Sequence, residues 1–254
     1  MDEDREFQHW LIFADSGGTG RHLQESICAS GSTCTLVYPG NQYGRTSQDT
    51  FTIDPYQAEH YQRLFAELNT AAVHHCVHLW GLDVVQHSDR ATSLVSSSRP
   101  AWETTLLVVQ ALARARLAPR LALITRGAVS VSGERVSGVA LSPLWGMAKS
   151  IALEHPELHC LRIDLAPEPQ PDEVSTLMAE LSLDIAQQTE DQVAFRGGNR
   201  YVERLTRRAI YIEATNTELL KFPQSAWYGV KVGEGGVEWQ EVERQEPGAG
   251  EVEI

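Results

Sequence analysis

The chain has 254 residues, enough for one α/β domain of about 200 residues with attachments and too few for two large ones. At 42% hydrophobic and 22% charged residues, with only 19 Gly and 11 Pro, the composition is globular and excludes a collagen-like or broadly disordered chain. Twenty-one Lys and Arg against 34 Asp and Glu leave a formal charge of −13, which repels phosphate backbones and anionic lipid, so neither nucleic acid nor membrane is an expected partner.

From His9 the apolar run Trp10 to Asp15 followed by Ser16-Gly17-Gly18-Thr19-Gly20 predicts a buried strand ending in a glycine turn. A helix carrying Leu23 and Ile27 follows, stopped by Gly31, and Thr33 to Tyr38 completes a βαβ unit. Asn41 to Thr50 reads as polar and turn-rich. Asp54-Pro55 then offers the N-cap and first-turn proline of a helix with Tyr61, Leu64, Phe65 and Leu68 on one face, ending near Asn69. Val73 to Trp80 is a third strand, a polar stretch with Ser96-Ser97-Ser98 follows, and Trp102 to Leu117 is helical. Leu121 to Thr125 is strand four, Arg126 to Ser142 a loop, and Pro143 opens a helix that ends at His155-Pro156. Leu158 to Leu165 is strand five, Asp172 to Ala186 an amphipathic helix, and Gln192 to Phe195 and Tyr201 to Leu205 are strands flanking Gly197-Gly198-Asn199. This alternation predicts a doubly wound, mainly parallel sheet with helices on both faces. Composition shifts after about Arg208: residues 232–254 hold seven glutamates against Arg244, and Val237 to Val242 is the convincing strand there.

A dinucleotide turn needs GxGxxG, and Gly18-Thr19-Gly20-Arg21-His22-Leu23 supplies two of the three glycines, with Leu23 in the place kept for helix packing. Gly17, Gly18 and Gly20 therefore form a degenerate turn, and Tyr38-Pro39-Gly40 brings no acid for a ribose hydroxyl. Reduction by a short-chain dehydrogenase also needs a tyrosine with a lysine or asparagine four residues later, and none of the seven tyrosines has one. His74, Cys76 and His78 share one face of a strand, with His75 on the other; they are either packed core residues or a metal site short of a carboxylate, Asp83 lying beyond the strand. Cys28, Cys34, Cys76 and Cys160 include no CxxC pair and read as reduced, structural thiols in apolar stretches. No apolar run reaches the roughly 18 residues of a membrane span and Met1 to Trp10 is acidic, so a cytoplasmic location is expected.

Five segments stand in order along the chain: Leu123 to Val129, Leu144-Trp145-Gly146-Met147-Ala148-Lys149, Ala152-Leu153-Glu154-His155-Pro156-Glu157-Leu158, Asp164-Leu165, and Glu190 to Arg196. Together they resemble the structural half of a modular polyketide synthase ketoreductase. The resemblance implies a truncated Rossmann-like α/β subdomain over residues 8–207, without catalytic or cofactor-binding residues or a metal. NADPH and the catalytic tyrosine are then expected on a partner catalytic half. Trp145, Gly146, Glu154, His155, Pro156 and Asp164 become the motif and interface candidates, with internal packing as the competing role for Trp145. Residues 237–254 resemble the opening of a medium-chain enoylreductase, with residues 208–236 as linker. Implied partners are the catalytic half, an adjacent enoylreductase, a C-methyltransferase and the acyl carrier protein of the module. Two other functions remain in play: a self-sufficient NADPH-dependent ketoreductase, and a docking module for a methyltransferase or carrier protein.

Overall fold

A computed structural model describes residues 8–68, 73–84, 91–205, 227–233 and 236–242. It divides into two units, Met1–Arg204 and Leu205–Ile254.

The first unit is an α/β domain on a nine-stranded sheet. In chain order its elements are β1 (His9–Phe13), α1 (Thr19–Ala29), β2 (Thr33–Pro39), β3 (Gly44–Ser47), β4 (Thr50–Ile53), α2 (Ala58–Glu67), β5 (Val73–His78), α3 (Ala91–Ala115), β6 (Arg120–Arg126), α4 (Ser142–Glu154), β7 (Leu161–Leu165), α5 (Glu173–Leu181), β8 (Gln192–Arg196) and β9 (Asn199–Val202). Sheet order is β3-β4-β2-β1-β5-β6-β7-β8-β9; all pairs are parallel except the two edge pairs β3–β4 and β8–β9. The expected doubly wound, mainly parallel sheet is therefore present.

Both faces are covered, which is why β1 reads as an unbroken apolar run. Leu11 and Phe13 pack with α2, α3 and α4 on one face, while Trp10 and Ile12 pack with α1 and α5 on the other. The chain moves from β1 toward β2 and β4, then crosses back to β5 on the opposite side of β1. The switch point of the sheet thus lies between the C-terminal ends of β1 and β5, the usual ligand crevice of such folds.

Several local expectations are corrected. Within the stretch read as polar turn, Gly44–Ser47 forms edge strand β3; β4 then starts at Thr50 and buries Phe51 and Ile53. Asp54 does not cap α2: its carboxylate accepts the Tyr56 amide in a turn, and the helix starts at Ala58. Ser96 to Ser98 lie inside α3, which runs through Pro100. The third strand stops at His78, with Trp80–Asp83 a 3-10 turn. Strand five is shortened by a second 3-10 turn, Pro156–Leu158, after which His159 is left-handed at φ 40°. Helix α5 ends at Leu181 because the Arg120 guanidinium takes the Leu181 and Leu183 carbonyls at 3.2 and 2.6 Å. Cys28 is exposed on α1, whereas the other three cysteines are buried.

In the second unit β10 (Trp227–Gly233) and β11 (Gly236–Val242) form an antiparallel hairpin, in register from Trp227↔Val242 to Gly233↔Gly236. Strand β10 falls within the stretch read as a linker.

Candidate functional site

The glycine turn lies at the switch point. Gly18 is the N-cap of α1 at φ 96°, a left-handed backbone that suits glycine. A Cβ on Gly20 would sit 2.7 Å from the Ala14 Cβ, so the close helix-to-strand approach occurs at Gly20. Leu23, one turn on, is a fully buried core residue and does not obstruct that approach. Part of the anion-binding capacity of the turn is already used by the chain's own carboxylates. Asp15, 3% exposed, accepts the Gly20 amide at 2.7 Å and the Thr19 amide at 3.1 Å. These are first-turn donors of the kind that hold phosphate in nucleotide sites. Asp83, following β5, accepts the Ser16 amide on both oxygens at 2.9 and 3.0 Å and the Ser16 hydroxyl at 2.7 Å. Two carboxylates thus stand where a dinucleotide pyrophosphate needs free donors, and these residues do not fit that cofactor.

A second cluster surrounds the start of α4. The Trp145 indole donates to the Thr125 hydroxyl at 2.9 Å, and that hydroxyl donates to Asp164 Oδ1 at 2.6 Å. Asp164 is fully buried and also accepts the Ala128 amide at 2.9 Å and the Arg196 guanidinium at 2.7 Å. Arg196 continues to the Val129 and Leu165 carbonyls and pairs with Glu134. One carboxylate therefore ties the loop after β6, helix α4 and strand β8 together. Of the interface candidates, this network joins Trp145 to Asp164, with Gly146 adjacent. Glu154, His155 and Pro156 lie at the other end of α4, about 14 Å of helix rise away, where His155 Nδ1 sits 3.0 Å from Glu157.

Beside Trp145 runs a half-open groove of about 550 Å³ whose walls include Val129, Val136, Trp145, Lys149, Ala194 and Tyr201. Sequence reasoning missed what meets there. Trp145 and Lys149 have the one-turn spacing sought for tyrosine and lysine, but a search starting from tyrosines passes over an indole. An indole N–H is a donor only and transfers no proton at neutral pH. Lys149 approaches Glu203 at 3.9 Å, with both side chains exposed. Tyr201 reaches the same groove from β9, a meeting no sequence spacing announces.

The histidine-rich strand is a packing element. His75 stacks on Trp10 with ring centroids 3.8 Å apart, and the His74 Nδ1 accepts the His9 amide. His78 is buried between Phe13, Trp80 and Thr104, and burial pushes its pKa down to about 3. Burial raises the Cys76 thiol, and raises the Cys160 thiol to about 12, which keeps both protonated and poor as nucleophiles or ligands. Among the described residues, no group of three His, Cys, Asp or Glu is placed to hold a metal, and no helix is long and apolar enough to cross a membrane.

Comparison with known proteins decides the family. Residues 40–205 match the Rossmann fold domain of the polyketide synthase extender module SpnB. The chain belongs to this family. Two phenolphthiocerol/phthiocerol polyketide synthase chains of Mycobacterium tuberculosis (strain CDC 1551 / Oshkosh) are similar to it in part. One is 33% identical over 120 residues, 47% of this chain. The other is 38% identical over 98 residues, 36% of this chain. The matched stretch is 6% of the length of each of these relatives. Among solved structures, the adenylation, ketoreductase and pseudo-Asub multidomain structure of a keto acid-selecting NRPS module aligns with TM-score 0.68 at 21% identity, covering 79% of this chain and 17% of that one. A C2-type ketoreductase from a modular polyketide synthase aligns with TM-score 0.56 at 24% identity, covering 78% and 39%. At these identities the structural likeness establishes the fold, a Rossmann-like α/β sheet.

Proposed function

We propose that this chain is the noncatalytic, structural subdomain of a polyketide synthase ketoreductase, acting in β-keto processing by holding the NADPH-binding catalytic half in its working shape. The observation that carries this reading is on α4. At Trp145 and Lys149 the helix keeps the one-turn spacing of an acid and its lysine, but supplies an indole already committed to Thr125. A carbonyl reduction needs a proton donor at that point.

The surface supports a docking role. Leu106 on α3 and Leu153 on α4 are 38% and 84% exposed. Gly146 sits inside α4, where glycine disfavours a helix by about 1 kcal/mol relative to alanine, yet among the described residues a Cβ there would meet nothing within 4 Å. A helix glycine with that open space beside it suits close approach by another body. The partners in this reading are the catalytic half, an enoylreductase and the carrier protein of the module, with a C-methyltransferase as a further neighbour. Residues 237–254 open the enoylreductase-like domain. The pairing of β10 with β11 supports reading Trp227–Gly233 together with that domain.

The test is turnover. The full chain, mixed with NADPH and a β-ketothioester, is expected to oxidise no NADPH. Turnover abolished by Tyr201→Phe would make the groove a reductase site and overturn the proposal.

A further inference from the structure

The crevice between β1 and β5 has a feature that the docking role does not require, since a scaffold could leave it open. We infer that Asp15 and Asp83 close it from within: Asp15 is the resident anion at the N-terminus of α1, and Asp83 staples the ends of β1 and β5 across the switch point.

Three observations converge. First, the Asp15 carboxylate is buried and takes the Thr19 and Gly20 amides, so the positive end of the α1 dipole is matched by a charge belonging to the chain itself. Second, a Cβ on Gly17 would lie 3.0 Å from Asp15 Oδ2. The absence of a side chain at Gly17 therefore makes room for the carboxylate, where a nucleotide turn keeps glycine so that pyrophosphate can approach. Third, Asp83 reaches the Ser16 amide with both oxygens and also receives the Ser16 hydroxyl, bridging residues 67 apart in sequence over the mouth of the crevice. A phosphate entering here would displace one carboxylate and face the other.

The closure has a structural consequence as well as an exclusion. In a nucleotide-binding half the ligand satisfies first-turn amides, whereas here the Thr19 and Gly20 amides are satisfied by Asp15 without any ligand, which helps hold α1 on the sheet in the free protein.

Thermal unfolding of the full chain, with NADPH, inorganic pyrophosphate or formate added in turn, tests the inference. Wild-type Tm is expected not to move with NADPH or pyrophosphate. Asp15→Ala removes the acceptor of two amides and is expected to lower Tm by at least about 2–4 °C. Formate, which restores a carboxylate to the vacated seat, is expected to return most of that loss while leaving the wild type unchanged. Asp15→Asn keeps one acceptor and serves if the alanine variant fails to fold. Its Thr19 or Gly20 amide is expected to exchange with deuterium at least about tenfold faster than in the wild type, for the loss of one hydrogen bond. A wild type stabilised by pyrophosphate or NADPH would overturn the inference. So would an Asp15→Ala chain as stable as the wild type or indifferent to formate, or unchanged exchange at both amides in Asp15→Asn. None of these results bears on turnover, which separately judges the scaffolding role.

Discussion

Asp164→Asn is the substitution whose effect follows most directly from the geometry. The carboxylate is fully buried and serves Thr125, Ala128 and Arg196 at 2.6, 2.9 and 2.7 Å. Asparagine has nearly the same shape, so packing is preserved and only chemistry changes. Its carbonyl oxygen can still serve Thr125 and Ala128, but its amide then points N–H donors at the Arg196 guanidinium, leaving the buried cation with the more exposed Glu134 as its remaining counter-charge. Breaking a buried pair in this way typically destabilises by about 3–5 kcal/mol. For a unit of this size each kcal/mol lowers Tm by about 2–4 °C, so a fall of about 6–20 °C is expected. Urea unfolding followed by far-UV circular dichroism measures the global loss. Because Trp145 hangs on the same network through Thr125, hydrogen exchange at Ala128 and Val129 measures the local one, and both amides are expected to lose protection. A loss below about 1 kcal/mol, the scale of an ordinary hydrogen bond, with exchange at the loop unchanged, would refute the view that one carboxylate organises this end of the sheet.

Further outcomes can be stated for other sites. Gly20→Ala forces a Cβ against Ala14, and a loss of about 1–3 kcal/mol is expected from the overpacking, read by urea midpoint; a neutral result would show that α1 slides freely on β1. Gly146→Ala is expected to raise the Tm of the isolated chain, by about 1 kcal/mol of helix propensity, while weakening its binding to the catalytic half in a pull-down; unimpaired binding would remove Gly146 from the interface. Burial holds His78 near pKa 3, and burial with the Arg120 charge holds His75 near 4, both below the unfolded value of about 6.5. Between those limits the unfolded chain binds more protons than the folded one, so stability is expected to fall as pH drops from about 6.5 toward 4. His78→Gln is expected to flatten that slope, and an unchanged slope would show that another group drives it. Burial alone would raise the Glu180 carboxyl, but hydrogen bonds from Arg200 and Gln188 outweigh it and hold the carboxyl below its ordinary range. Its stabilising contribution is present above the unfolded carboxyl range and is lost on acidification below it, so Glu180→Gln is expected to lose stability at neutral pH and to show a shallower acid limb in a pH titration of the urea midpoint.

The sheet was legible where apolar runs are long and punctuated by glycine, as in β1, β2, β6 and the turn of the β8–β9 hairpin, whose second strand is Asn199–Val202 and not Tyr201 to Leu205. In that hairpin Gly197 and Gly198 both take the positive φ of a tight type I′ turn. It was not legible at β3 and β4, whose four residues each give too little alternation to outweigh the neighbouring polar and turn residues. The end of α5 was set by Arg120, 61 residues away from the carbonyl it takes, which no local pattern encodes. At the candidate site the glycines were visible and their partner was not. Asp15 closes the strand in the sequence, but its hold on two amides depends on how the backbone curls after it. Trp145 was visible as a family motif, and its kinship in spacing with Lys149 emerged only once α4 was placed beside Tyr201 and the groove.

The most direct test of the whole account is to supply the separately expressed catalytic half of a ketoreductase from the same module with this chain, and to follow NADPH oxidation with a β-ketothioester. The account expects no turnover from this chain alone, and an increase in the activity and Tm of the catalytic half when the chain is added. Turnover by this chain alone, or a catalytic half whose activity and stability ignore its presence, would contradict it.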